Sequence, residues 1–158
     1  LAQGLSIRLA SFPDKDTISA VAREAFRNYI DHFHADPRLD NDAADQVYVQ
    51  WAQTSVSNIS EGTPVLIAEK NGEIVGFLTM RLGNPEEGEI VLNGIHPEHQ
   101  NSGIYTCLLK QSKNVLADLG AKRVTISTQI NNYAAQKVWA RNGLVHERSF
   151  YTFHKWYE

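Results

Sequence analysis

The residues of this chain whose types and spacing suit chemistry begin at a small polar turn, Gln100-Asn101-Ser102-Gly103. Before it lies Glu-Ile-Val-Leu-Asn-Gly-Ile, Glu89 to Ile95, an apolar and β-branched run that reads as a buried strand and stops at His96-Pro97. After it Ile104, Cys107, Leu108, Val115 and Leu119 recur at roughly helical spacing. A strand thus hands over to a helix through the turn. Such a junction leaves backbone N–H groups unpaired where the helix macrodipole favours negative charge, and phosphate is the natural guest. An ordinary strand-to-helix connection has the same local pattern, so the turn alone does not decide between them.

A second group lies earlier. His32, His34 and Asp36 carry metal-ligating atoms, but no further cluster completes a site, so a hydrophilic surface loop is the favoured reading and no metal is expected. The single cysteine, Cys107, excludes an internal disulfide and multi-cysteine metal sites, and its place on the apolar side of its helix reads as packing.

The elements that must position these groups follow from periodicity. Leu5, Ile7 and Leu9 alternate as a half-buried strand. Ile18, Val21, Ala22, Ala25, Phe26 and Tyr29 predict an amphipathic helix over Asp16 to Ile30, with Asp14 or Asp16 as caps. Ala44, Val47, Tyr48, Trp51, Ser55 and Val56 predict a second helix. Pro64 to Lys70 and Glu73 to Leu82 are strands around Asn71-Gly72, a strong hairpin signal. Behind the central helix, stopped by Gly120, come a strand over Lys122 to Gln129, a short helix over Asn132 to Arg141, and a late strand pair over Leu144 to Tyr157.

Length and composition bound the rest. The 158 residues suit one domain, residues 1–158, with a proper core. A net charge of −3 gives no reason to expect nucleic acid or an anionic membrane as partner, so any phosphate site is local. No apolar run of about eighteen residues and no signal sequence is present, which makes the cytoplasm the default compartment. The chain begins with Leu, which suits a trimmed chain or a part of a longer protein.

The Gln100 to Tyr105 stretch resembles the Gln/Arg-x-x-Gly-x-Gly/Ala signature of the GCN5-related N-acetyltransferases, and the element order resembles that family over nearly the whole chain. The resemblance implies an α/β fold with a mixed, mostly antiparallel sheet, a parallel, splayed central strand pair, and helices on both faces. It implies acetyl-CoA as co-substrate, its phosphates on Gln100, Asn101, Ser102, Gly103 and Ile104, and its pantetheine arm paired to the backbone of Asn93, Gly94 and Ile95. Tyr105 departs from the small residue that closes the signature: either its side chain turns away from the cradle or the cradle is altered. Asn132 matches an Asn that holds the cofactor arm, and Trp139 stands where the family often has a Tyr acting as acid for the leaving thiolate. An indole N–H donates a hydrogen bond but does not give up its proton, so Trp139 shapes the pocket, touches the sulfur, or is simply core.

For the base, Glu89 resembles the general base of the histone acetyltransferase branch, with His96 and Tyr133 as reserve proton-transfer groups. Position in the family places the acceptor near the loop carrying His32, His34 and Arg38 and near the aromatic tail Ser149 to Tyr157. The expected reaction is acetyl transfer to a primary amine of a small molecule by a monomer or homodimer. Looser similarity to the branch acting on nucleotide-linked amino-deoxysugars puts such a sugar among the candidate acceptors. The alternatives are a non-catalytic CoA-binding or regulatory module and a protein or peptide N-acetyltransferase.

Overall fold

Asn71 and Gly72 stand at φ 54° and 87°, the two left-handed residues that a tight hairpin turn requires. They join β2 (Val65–Lys70) to β3 (Glu73–Asn84) in the computed structural model, which describes residues 3–27, 29–84 and 86–158. With β1 (Leu5–Leu9), β4 (Glu87–Ile95) and β5 (Arg123–Ile126) they form one sheet in the order β1-β2-β3-β4-β5. All neighbours are antiparallel except β4 and β5, which run parallel. Four helices accompany the sheet: α1 (Lys15–Ala25), α2 (Asn41–Ser57), α3 (Ile104–Asp118) and α4 (Tyr133–Arg141).

Both sheet faces are covered, which explains why β2 is buried at four consecutive positions rather than alternately. Val65 and Ile67 pack with Phe77, Leu92 and residues of α1 and α2, whereas Leu66 and Ala68 pack with Leu78, Met80, Ile90 and residues of α3. Ile90 and Leu92 are two residues apart on one strand yet face opposite cores. The register explains it: Leu92 opposes Thr79 and Ile90 opposes Met80, so Val91 is an extra residue, a β-bulge. The side chain of Thr79 accepts the Leu92 N–H at 3.0 Å and holds the bulge.

That bulge coincides with the end of the parallel pairing. Glu87 to Ile90 pair with Arg123 to Ile126, and from Val91 to Ile95 the edge of β4 that faces away from β3 has no partner strand among the described residues. The central pair is therefore a fork, closed at Glu87 and open at Ile95. No helix among the described residues is long and apolar enough to cross a membrane.

Several expectations need correction. Helix α1 stops at Ala25 rather than Ile30, because Phe26 leaves helical geometry and stacks on Tyr48 with centroids 4.5 Å apart; residue 28 lies outside the described residues. Asp14 precedes α1 without capping it, since its carboxylate accepts from Arg8 and Ser11. Strand β5 is shorter than the predicted 122–129 because β4 parts from it. The late strand pair is absent: residues 145–158 have no regular structure, and Phe150, Tyr151, Phe153 and Tyr157 are exposed. Alternating side chains make a strand only where a ladder partner is available, and this tail lies along none.

Thr79→Val keeps the side-chain volume and leaves the Leu92 N–H buried without that acceptor. It is expected to cost about 1–3 kcal/mol of stability, read as a lowered Tm; an unchanged Tm would mean that the bulge does not depend on this bond.

Candidate active site

The junction of β4 and α3 is built by two left-handed residues, Asn101 at φ 58° and Gly103 at φ 83°. Gln100 closes the turn by donating from its side chain to the Ile95 carbonyl at 3.2 Å, and the Ser102 hydroxyl donates to the His99 carbonyl. Regular pairing resumes where the Cys107 N–H reaches Gly103 O at 3.1 Å. Among the described residues, the amides from Asn101 to Thr106 have no acceptor within the chain. A Cβ added to Gly103 would meet nothing within 4 Å, so the space beside Gly103 is open. Unpaired N–H groups, a helix N-terminus and open space are what a phosphate-bearing group requires, and the residues present fit the phosphates of a CoA ester.

Of the two alternatives at Tyr105, the structure takes the first: the side chain turns away from the cradle. It packs against the core beside Trp139, whose Nε1 donates to the Tyr105 hydroxyl at 2.7 Å. Burial pushes the Tyr105 hydroxyl up to about 12, only partly opposed by the indole N–H. Asn132 is the N-cap of α4: its Oδ1 accepts the Ala135 N–H at 3.2 Å and its Nδ2 donates to Thr128 Oγ1 at 2.9 Å. Asn93, Gly94 and Ile95 occupy the unpaired edge of the fork. Gly94 is required there by packing, because a Cβ would lie 3.0 Å from both Ala25 Cβ and the Phe77 ring.

The three candidate proton-transfer groups do not converge. Glu89 lies opposite Arg81, on the closed side of the bulge, and is ion-paired with it. His96 lines a groove between α1 and the β2–β3 hairpin with Arg8, Asp14 and Glu24, and its Nδ1 is buried without a partner. Tyr133, at the start of α4, is 66 % exposed. The described residues whose possible ligand atoms come within 4.8 Å of one another are His96, Glu98 and His99, not the His32, His34 and Asp36 set weighed from sequence.

The loop between α1 and α2 divides its residues. His34 points inward: Nδ1 meets Asp31 at 2.8 Å and Nε2 meets Asp45 at 3.1 Å, so both ring nitrogens donate only when the ring is charged. This ring is occupied by the fold and is not free for a substrate. The side chain of Asp31 is fully buried; burial alone would raise its pKa, but bonds from Tyr48, His34 and the Phe33 amide outweigh that and lower it. The Asp31 bond raises the His34 pKa in turn, against the opposing effect of burial.

His32 and Arg38 stand instead with the tail. Asp36 accepts from the Arg38 amide at 3.0 Å, His154 at 2.7 Å and Trp156 Nε1 at 2.9 Å, which holds its carboxyl below the usual range. Arg38 lies over the Trp156 ring, and His32 meets His154 edge to face. The loop and the tail, both named as acceptor walls, thus touch each other. Sequence reasoning did not foresee the bonds that Asp31, Asp45, Tyr48 and Arg81 make here; Asp31 and His34, three residues apart in a polar loop, were the one local hint.

His34 has its pKa raised by folding, so the stability it contributes is fully present below about pH 6.5, its unperturbed value, and is lost as pH rises through the raised one. The Tm difference between the protein and His34→Gln is expected to be largest in that acidic range and to shrink above it. A difference independent of pH would contradict the charged bridge.

A family model for the acetyltransferase (GNAT) family matches residues 23–144. The chain is 27 % identical over 143 residues to the spore coat polysaccharide biosynthesis protein SpsD of Bacillus subtilis, covering 90 % of this chain and 48 % of that protein. It is 26 % identical over 144 residues to the mycothiol acetyltransferase of Kytococcus sedentarius, covering 90 % and 46 %. It therefore spans about half the length of the curated relatives it matches. Among solved structures, the PaiA N-acetyltransferase of Thermoplasma acidophilum in complex with coenzyme A superposes with a TM-score of 0.70 at 18 % identity, over 92 % of both chains. The fork, the cradle and the family model together establish that this chain belongs to the GNAT family of acetyltransferases, whose co-substrate is acetyl-CoA.

Proposed function

We propose that this chain transfers the acetyl group of acetyl-CoA to a primary amine of a small molecule by direct attack, with a nucleotide-linked amino sugar as the acceptor class. The observation that carries the reading is the run of unpaired amides from Asn101 to Thr106 set beside the open end of the fork. Acetyl-CoA supplies an activated acyl carbon with a thiolate leaving group. The cradle binds the phosphates, and the unpaired edge from Val91 to Ile95 offers main-chain partners to an extended arm. An amide of that edge, near Ile95, is the proposed donor to negative charge developing on the acyl oxygen.

Glu89 is the proposed base. Its carboxylate is already within hydrogen-bond reach of Arg81, which orients it, and an arriving ammonium group would compete for the same oxygens. Asn132 acts on the cofactor arm through α4, whose first turn it fixes, with Trp139 on the same helix. His96 and Tyr133 remain reserve proton-transfer groups at the margins.

The amino-sugar reading draws on two supports. The name of the Bacillus relative places that protein in polysaccharide biosynthesis. The cluster of His32, Arg38, His154 and Trp156 offers a cation for a diphosphate and an aromatic face for a base or sugar ring.

Isothermal titration with acetyl-CoA, followed by a thiol-release assay with nucleotide-linked amino sugars, tests the proposal. Glu89→Gln is expected to lower turnover about 10²- to 10⁴-fold, to shift the pH profile, and to leave acetyl-CoA affinity intact. Unchanged turnover would remove Glu89 from the mechanism. Arg38→Ala is expected to raise KM for a diphosphate-bearing acceptor about tenfold, a loss of roughly 1.4 kcal/mol, without changing acetyl-CoA binding. An equal KM would move the acceptor elsewhere.

A further inference from the structure

Helix α3 follows β4 and helix α4 follows β5, and residues of both helices pack against the same core. A hydrogen bond between side chains joins the first turn of α3 to the last turn of α4, from Trp139 Nε1 to the Tyr105 hydroxyl at 2.7 Å. Both residues are partly buried against the core that includes Ile95 at the tip of one prong and Ile126 at the end of the other. The indole can only donate, so the phenol oxygen is the acceptor and its own proton points elsewhere. No acceptor for that proton exists among the described residues. A half-buried phenol with an unused proton is a donor waiting for a partner.

We propose that the Tyr105 hydroxyl is the hydrogen-bond donor to the leaving sulfur of CoA, with Trp139 as the positioning residue that fixes its orientation. This rests on the reading of the fork as the acyl-CoA site. It is a relocation: the proton-bearing group that the α4 position 139 lacks is supplied from α3, and the two aromatic side chains meet.

The chemistry fixes what kind of help this is. Burial keeps the Tyr105 hydroxyl protonated near 12, while an ordinary thiol titrates at about 8.5. Full proton transfer to the thiolate would run uphill, so Tyr105 keeps its proton and stabilises the anion through a charge-assisted bond. As the amine nitrogen bonds to the acyl carbon, the C–S bond breaks and its electron pair leaves on sulfur. Two protons leave the nitrogen, one from the ammonium before attack and one from the adduct after it, and both pass through Glu89 to solvent. The thiolate, held by Tyr105, takes its proton from water as the product departs, and every proton is accounted for. The Trp139 N–H strengthens the donor by withdrawing electron density from the phenol oxygen.

The test needs no acceptor. The thiol of CoA bound to the protein is titrated by its ultraviolet thiolate absorbance, and CoA affinity is measured alongside by isothermal titration. A donor aimed at sulfur is expected to make the bound thiol titrate about one pH unit lower in the wild type than in Tyr105→Phe, at equal CoA affinity below pH 7. Trp139→Phe is expected to fall between the two. The double variant Tyr105→Phe/Trp139→Tyr, which returns a phenol to the fork from α4, should restore the lower value. Identical titration in wild type and Tyr105→Phe, with CoA bound in both, overturns the proposal and leaves the acyl-CoA site standing. Failure of the wild type to bind CoA at all overturns both.

Discussion

The loss of pairing between β4 and β5 after Ile90 and Ile126 is the constraint on which the rest of this structure depends. One extra residue, Val91, marks the point: it breaks the ladder with β3 and reverses which side chains face which core. Were Val91 paired regularly instead of bulged, Leu92 and Gly94 would face α3, and the contact of Gly94 with Ala25 and Phe77 would be lost. With the bulge, one edge of a central strand lies open inside a covered sheet. An open edge is normally a hazard that proteins cover or charge. Here it stands beside a helix start whose amides are also unpaired, and in the proposed function one extended, phosphate-bearing ligand meets both deficits.

The packing on each face serves this fork. Helix α3 sits on one core and carries the cradle at its start; α1 and α2 sit on the other and carry the loop that meets the tail at Asp36. Between the helices and the fork stand two polar devices of different kinds. The Tyr48–Asp31–His34–Asp45 chain, buried at Asp31 and open to solvent at Asp45, is charged and fixes the loop between α1 and α2. The Trp139–Tyr105 bond is neutral and leaves one proton unspent. A satisfied buried network rigidifies, whereas a partly satisfied one is available for chemistry.

Much of this was legible in the sequence, for physical reasons that are local. Asn71-Gly72 predicts its hairpin because only left-handed backbone closes such a turn, and Gln100 to Gly103 predicts the strand-to-helix junction through its composition. The bulge was not legible, since Val91 is an ordinary strand residue and the irregularity exists only in its register with β3. The direction of the Tyr105 side chain was posed by the sequence as an alternative and is decided with Trp139, a residue close in space but distant in the chain. The tail was misread because alternation reports the pattern of a strand and not the presence of a neighbour. Asn132 was read through its family resemblance; its immediate partners are the first turn of its own helix and Thr128.

The measurement that most directly tests the central claim is the change in backbone amide NMR shifts when CoA is added. The account predicts the largest changes at Asn101 to Thr106, whose amides have no acceptor among the described residues, with a second set from Val91 to Ile95, where one edge of β4 lacks a partner strand among them. Shifts confined to the groove between α1 and the β2–β3 hairpin, or no shifts up to millimolar CoA, would contradict it.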